Sequence, residues 1–207
     1  MSANETVFVV DDDIDARDSL CALLESADLT GEAYESAQAF LDAYQPDRPG
    51  CLIADIRMPD MDGLALQEEL NRRHAGLPVI VVTGHADVPL AVRAMKAGAV
   101  DLIEKPFDDA LLLATVRRAL ALAHNAREQA VAADSAKTRI ASLSARERQV
   151  LELLVAGQPN KLIAYELDIS PRTVEIHRAH VMDKMEAKSL SDLVRAAIAA
   201  GISSPAK

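Results

Sequence analysis

Cysteine is nearly missing: Cys21 and Cys51 are the only two in a chain of 207 residues. Two isolated thiols make neither a disulfide framework nor a thiolate metal cage, so both are read as small buried hydrophobes and redox chemistry is not expected. Long apolar runs are missing too. No stretch approaches the roughly 18 uncharged residues that a membrane-spanning helix needs, and Met1–Glu5 lacks the basic start of a secretory leader. The expectation is a cytoplasmic protein with no membrane partner. No internal repeat is visible.

What is present is an ordinary globular balance, 50% hydrophobic and 26% charged, which argues against a wholly disordered or fibrous chain. The length suits two modest domains. Charge is spread unevenly, with 22 acids against 10 bases in residues 1–123 and 10 against 12 in residues 124–207. An acidic first part joined to a slightly basic second part suggests modules with different partners, the second being the better candidate for a polyanion.

The first part alternates short apolar runs with amphipathic stretches. Val7–Val10 reads as a strand, Ile14–Ala27 as a helix, Glu32–Tyr34 as a weaker strand, and Ala37–Ala43 as a short helix capped by Ser36. Pro46, Pro49 and Gly50 break the chain before a strand at Cys51–Ala54. A helix at Leu64–Arg73, a strand at Val79–Val82, a helix at Pro89–Ala97 ended by Gly98, a strand at Val100–Glu104 and a helix from Asp108 complete the set. Continuous apolar strands separated by helices imply a parallel sheet covered on both faces, hence an α/β, doubly wound, five-stranded architecture. From Leu111 to about Arg139 the sequence has no Pro or Gly and is expected to run on as a helical connector. Ser144–Glu147 has capping-box spacing, which places a fresh start after Ser142. The expected division is 1–123, a helical connector at 124–142, and 143–207.

In such sheets ligands sit beyond the carboxyl ends of the strands. Asp11, Asp12 and Asp13 follow the first strand, Asp55 ends the third, Thr83 ends the fourth, and Lys105-Pro106 follows the fifth. Carboxylates gathered in one cleft repel one another unless a hard cation joins them, and Mg²⁺ (or Mn²⁺) accepts one or two carboxylates with waters or phosphate oxygens. A carboxylate beside such a metal can attack a phosphoryl donor, and a hydroxyl and an ammonium can take up the transferred oxygens, so Asp55, Thr83 and Lys105 fit those roles. Taken singly, the Asp triplet reads equally well as a helix cap and solvated turn, Thr83 as a strand residue and Lys105 as a surface lysine. Their joint placement on four strands favours the phosphoryl site.

These segments, V-F-V-V-D-D-D at 7–13, D-I-R-M-P at 55–59, T-G-H at 83–85 and E-K-P-F at 104–107, resemble response-regulator receiver domains over residues 5 to about 122. The resemblance implies a flavodoxin-like sheet and an Asp55 that receives a phosphoryl group from a sensor histidine kinase. It also implies an acidic pocket of Asp11 and Asp12, with Asp12, Asp55 and the Arg57 backbone carbonyl holding Mg²⁺. Thr83 is then the switch residue, Lys105 pairs with the acyl phosphate, and the Lys105-Pro106 bond is cis. Asp13 is left as a turn or cap residue. The second switch position, aromatic in similar receivers, is Leu102, so a ring-rotation relay cannot operate as in the family.

Residues 144–200 read as an all-α module of four short helices: about Ala145–Val155, Asn160–Leu167, Pro171–Met185 and Leu190–Ala200, with Gly157, Asp168 and Ala187 in the breaks. Ser170-Pro171 is a strong start signal. Val174, His177, Val181 and Met185 recur at helical spacing and are expected to face the core. Arg172, Thr173, Glu175, Ile176, Arg178, Ala179 and His180 remain on the open side, a mixture of donors, an acceptor and apolar groups suited to a major groove. The plainer alternative is a helical interaction bundle with solvated charges.

L-S-A-R-E-R-Q-V-L at 143–151, N-K-L-I-A at 160–164 and I-S-P-R-T-V-E-I-H at 169–177 resemble LuxR-type helix-turn-helix domains. By position this implies a scaffold helix at Asn160–Leu167, a recognition helix at Pro171–Met185, phosphate contacts from Lys161 and Lys184, and a dimer surface on the last helix. Together the two resemblances indicate a FixJ-type two-component response regulator. Phosphorylation would promote a homodimer on double-stranded promoter DNA, with RNA polymerase as a further partner and activation as the expected outcome. The protein would not be an enzyme beyond phosphotransfer to its own Asp and slow autodephosphorylation. Two rivals stand beside this reading. One is a DNA-binding regulator with a structural receiver that needs no phosphate. The other is an Mg²⁺-dependent aspartate-nucleophile phosphatase, whose D-x-D-x-T pattern fails because Asp15 stands where Thr is required.

Overall fold

The computed structural model describes residues 5–46 and 48–202; the leader reading of Met1–Asn4 lies outside them. The chain divides into two compact units, Met1–Ala126 and Arg127–Lys207.

The first unit runs β1 (Thr6–Val10), α1 (Ile14–Ser26), β2 (Thr30–Tyr34), α2 (Ala37–Ala43), β3 (Gly50–Asp55), α3 (Gly63–Arg72), β4 (Val79–Thr83), α4 (Val88–Lys96), β5 (Asp101–Glu104) and the start of α5 (Asp109–Ala141). The strands are all parallel and lie in the order β2-β1-β3-β4-β5. Strand alternation sorts the side chains to two faces. Phe8, Val10, Leu52, Ala54 and Val81 pack under α2, α3 and α4 with Phe40, Leu66 and Ala94. Val7, Val9, Ile53, Ile80 and Val82 pack under α1 and α5 with Leu24, Leu112 and Val116. Both faces being covered explains why β1, β3 and β4 are continuous apolar runs, every residue of each buried. The edge strands β2 and β5 are only partly buried. Cys51 is sealed in this core, where burial pushes its thiol up to about 12, whereas Cys21, expected to be buried, is half-exposed at the rim.

Two devices hold the strand ends in place. The chain leaves β1 and β3 towards opposite faces, which opens a crevice between their carboxyl ends. Gly63, the first residue of α3, lies so close under β3 that a Cβ there would stand 2.3 Å from the Asp55 backbone oxygen. Only glycine allows that approach.

The second unit contains the end of α5, then α6 (Ala145–Val155), α7 (Asn160–Glu166), α8 (Pro171–Lys184) and α9 (Leu190–Ala199). Ser144 and Glu147 form the capping box at the start of α6, and Ser170 caps α8 ahead of Pro171. Left-handed residues Gly157, Asp168 and Glu186 follow α6, α7 and α8. Its core gathers Val150, Leu151, Ile163, Val174, Val181, Met185 and Leu193, with Ile140 from the last turn of α5. Helix α5 is a single helix of 33 residues. Among the described residues no helix is long and apolar enough to cross a membrane.

Candidate functional site

The crevice brings together Asp11, Asp55 and Lys105. Asp11, directly after β1, and Asp55, the last residue of β3, are both buried, and the Lys105 ammonium donates to each, at 2.7 Å to Asp11 Oδ2 and 2.8 Å to Asp55 Oδ1. Burial pulls the Lys105 ammonium down, but the hydrogen bonds to Asp11 and Asp55 outweigh it and hold the group above its ordinary value. Asp55 Oδ2 accepts from the Arg57 backbone N–H at 2.5 Å. Asp11 Oδ1 accepts from the Asp13 N–H at 3.0 Å. Both carboxylates are thus fixed in orientation by local turns.

Thr83, at the end of β4, is fully buried. Its hydroxyl donates to the His85 carbonyl at 3.2 Å and accepts from the His85 N–H at 3.3 Å, so it is engaged by its own loop. The backbone ties the strand ends into one frame: the Lys105 N–H donates to the Thr83 carbonyl at 2.7 Å and the Ile56 N–H to the Val82 carbonyl at 3.0 Å. Glu104 Oε1 accepts from the Ala86 N–H at 2.9 Å, clasping the β4–α4 loop to β5. Thr83 also lines an open cleft of about 270 Å³ with Ile56, Arg57, His85 and residues from the start of α4. The Lys105-Pro106 bond is cis, and Asp13 caps α1 through the Asp15 N–H.

Asp12 points to solvent, and among the described residues no group of three or more His, Cys, Asp and Glu side chains could hold an ion alone. The Lys105 ammonium stands where the two buried carboxylates converge, relieving their repulsion. The donor set still fits Mg²⁺, which needs only one or two carboxylates and otherwise takes waters and carbonyl oxygens. Leu102, paired in register with Val81, is partly buried against the α2–α4 face.

On α8 the core side carries Val174, Val181 and Met185 as expected, all buried. His177 is only half-buried, with Nδ1 enclosed and without a hydrogen-bond partner among the described residues. Arg172, Glu175, Ala179 and His180 are exposed, Ile176 is 49% exposed, and Arg178 is half-buried. Lys161 is exposed on α7. Two residues have partners within the chain: the Thr173 hydroxyl is shared with the Ser170 cap at 2.8 Å, and the Lys184 ammonium donates at 2.7 Å to buried Glu147. Glu147, Gly63 and Glu104 were not singled out as site residues. The M-D-G stretch at 61–63 offers a signal for Gly63 alone, because glycine just inside a helix start marks a close approach.

A crevice carboxylate paired with lysine, with a threonine at the neighbouring strand end, in a sheet of this order, together with an exposed helix after a short capped turn, defines a phosphoacceptor-type α/β domain linked to a helix-turn-helix domain. Comparison with known proteins gives the same two halves. Residues 7–117 match the receiver domain of response regulators, and residues 141–197 match the luxR family of bacterial regulatory proteins. The transcriptional regulatory protein FixJ of Azorhizobium caulinodans is 56% identical over 95% of this chain and 93% of its own length. Response regulator protein TodT of Pseudomonas putida is 43% identical over 91% of this chain and 83% of its own length. Among solved structures, full-length FixJ from B. japonicum is 50% identical with a TM-score of 0.58, covering 96% of this chain and 98% of that one. Response regulator StyR is 42% identical with a TM-score of 0.78, covering 94% and 98%. The chain belongs to the response regulators, with a receiver domain followed by a LuxR-type DNA-binding domain.

Proposed function

We propose that Asp55 is the phosphoacceptor through which a sensor histidine kinase controls DNA binding by α8. The observation that carries this is the pairing of buried Asp55 with Lys105, with its other oxygen fixed by the Arg57 N–H. In the step, an Asp55 carboxylate oxygen attacks the phosphorus of the donor phosphohistidine. The O–P bond forms, the P–N bond breaks, and the electron pair leaves with the imidazole. Lys105 carries its charge from the carboxylate pair to the phosphoryl oxygens. Asp11, Asp12, Asp55 and the Arg57 carbonyl would hold Mg²⁺ (or Mn²⁺), which when bound supplies positive charge against the phosphoryl oxygens. Slow hydrolysis of the acyl phosphate resets the receiver.

The phosphoryl group adds nearly two negative charges to the crevice. Thr83 turns its hydroxyl towards that group and gives up both contacts with His85, which releases the β4–α4 loop. Leu102 fills the space Thr83 vacates as an aliphatic side chain, with no ring to rotate. The change shifts the population towards a homodimer. Two recognition helices then meet half-sites about 34 Å apart, with Arg172, Glu175, Ile176, Arg178, Ala179 and His180 reaching base edges and phosphates. Residues 124–142 serve as the helical connector between receiver and DNA-binding domain, and the bound dimer recruits RNA polymerase as an activator.

The test is selection of duplexes from a random-sequence pool with the full chain after acetyl phosphate and Mg²⁺. Enrichment of paired half-sites by wild type but not by Asp55→Ala is expected. Equal enrichment by both would favour a structural receiver that needs no phosphate.

A further inference from the structure

Away from the crevice, a buried charged cluster is centred on Glu147 at the start of α6. This carboxylate is 5% exposed. Its Oε2 accepts from the Ser144 N–H at 2.8 Å and from Lys184 Nζ at 2.7 Å, and His180 Nδ1 lies 3.7 Å from its Oε1. The Lys184 hydrogen bond first, and then the Ser144 backbone, hold the carboxyl down to about 2. A cation paired with a buried carboxylate cannot be lent to another anion without leaving a buried charge unpaired.

Lys184 is the last residue of α8 and His180 lies four residues before it, so Glu147 engages the C-terminal end of that helix. The other charges there give DNA nothing either: Asp183 is an exposed acid, and Glu186 is bound by Arg139 at 2.6 Å. Earlier in the helix the situation reverses. Arg172 and Arg178 have no ion pair among the described residues, and Lys161 on α7 is likewise unpaired. Along α8 the available positive charge is therefore confined to the portion before His180.

We infer that Glu147 is a positioning residue for DNA binding: it withholds Lys184 from the phosphate backbone and restricts the electrostatic footprint of α8 to Arg172 and Arg178. The inference rests on α8 being the DNA-facing helix, and the controls below separate the two.

The full chain is titrated by fluorescence anisotropy against a mixed-sequence duplex of about 30 base pairs between roughly 50 and 200 mM salt, where each phosphate contact contributes about 0.9 to the slope of log K against log salt. Arg172→Gln is expected to flatten the slope by about 0.9, while Lys184→Gln, which keeps a donor to the carboxylate, leaves it at the wild-type value. Glu147→Gln frees Lys184 and steepens the slope by about 0.9, and the double variant with Lys184→Gln returns to wild type. A merely structural role for Glu147 produces no such return. Flattening by Lys184→Gln equal to that of Arg172→Gln would overturn the inference, and this arm decides the matter even if Glu147→Gln does not fold. A slope unmoved by Arg172→Gln and Arg178→Gln would overturn the DNA-facing reading of α8, and the inference with it.

Discussion

Replacing Gly63 by Ala sets two physical effects of opposite sign against each other. Local propensity favours alanine in a helix by about 0.5–1 kcal/mol, and Gly63 has no left-handed backbone to protect. The close approach opposes it, because the added Cβ would stand 2.3 Å from the Asp55 carbonyl oxygen and 3.0 Å from its carbon. An ordinary C···O contact is about 3.3 Å, so α3 and the end of β3 must separate by about 1 Å. Overpacking against backbone costs about 1–3 kcal/mol, so the net expectation is destabilisation by about 1–2 kcal/mol in urea unfolding. The same shift moves Asp55 relative to Lys105 and slows phosphorylation by acetyl phosphate by about 100-fold. Gly84→Ala is the control, since its Cβ would meet nothing within 4 Å. A Gly63→Ala protein as stable as wild type and phosphorylated at the wild-type rate would refute the close approach of α3 to the end of β3 as a constraint on Asp55.

Removing the ammonium with Lys105→Met leaves Asp11 and Asp55 facing each other with no cation between them. Unfolding should show a loss of about 3 kcal/mol, the low end for breaking a buried pair because the lysine is 28% exposed. Millimolar Mg²⁺ should recover part of the lost melting temperature in this variant by more than it stabilises wild type; equal metal responses would contradict the shared cation position. For Glu147, a folded carboxyl held down to about 2 against an ordinary 4.5 contributes stability that is present above 4.5 and lost as pH falls towards 2. The unfolding gap between wild type and Glu147→Gln should accordingly be constant near neutrality and close between those values, and a gap unchanged at the acid end would contradict the pairing.

The sheet was legible because β1, β3 and β4 are buried on both faces and therefore spell out as unbroken apolar runs, whereas edge strand β2 was visible only as a weaker signal, with Glu32 tied outward to Arg48 at 2.5 Å. The candidate site residues were legible because each ends a strand or directly follows one. Which of them touch was not: Lys105 reaches Asp11 across 94 positions and Lys184 reaches Glu147 across 37. Pattern along the chain gave Lys184 no partner, since neither spacing nor composition reveals that Glu147 stands within hydrogen-bond reach of it. The helix starts at Ser144 and Ser170 were readable, being set by hydrogen bonds to residues three positions on.

The most direct test of the central claim is intact-protein mass spectrometry with light scattering on wild type and Asp55→Asn after incubation with acetyl phosphate and Mg²⁺. A single phosphoryl adduct on wild type alone, accompanied by a shift towards dimer, is predicted. An adduct that persists in Asp55→Asn, or none on either protein, would contradict Asp55 as the phosphoacceptor.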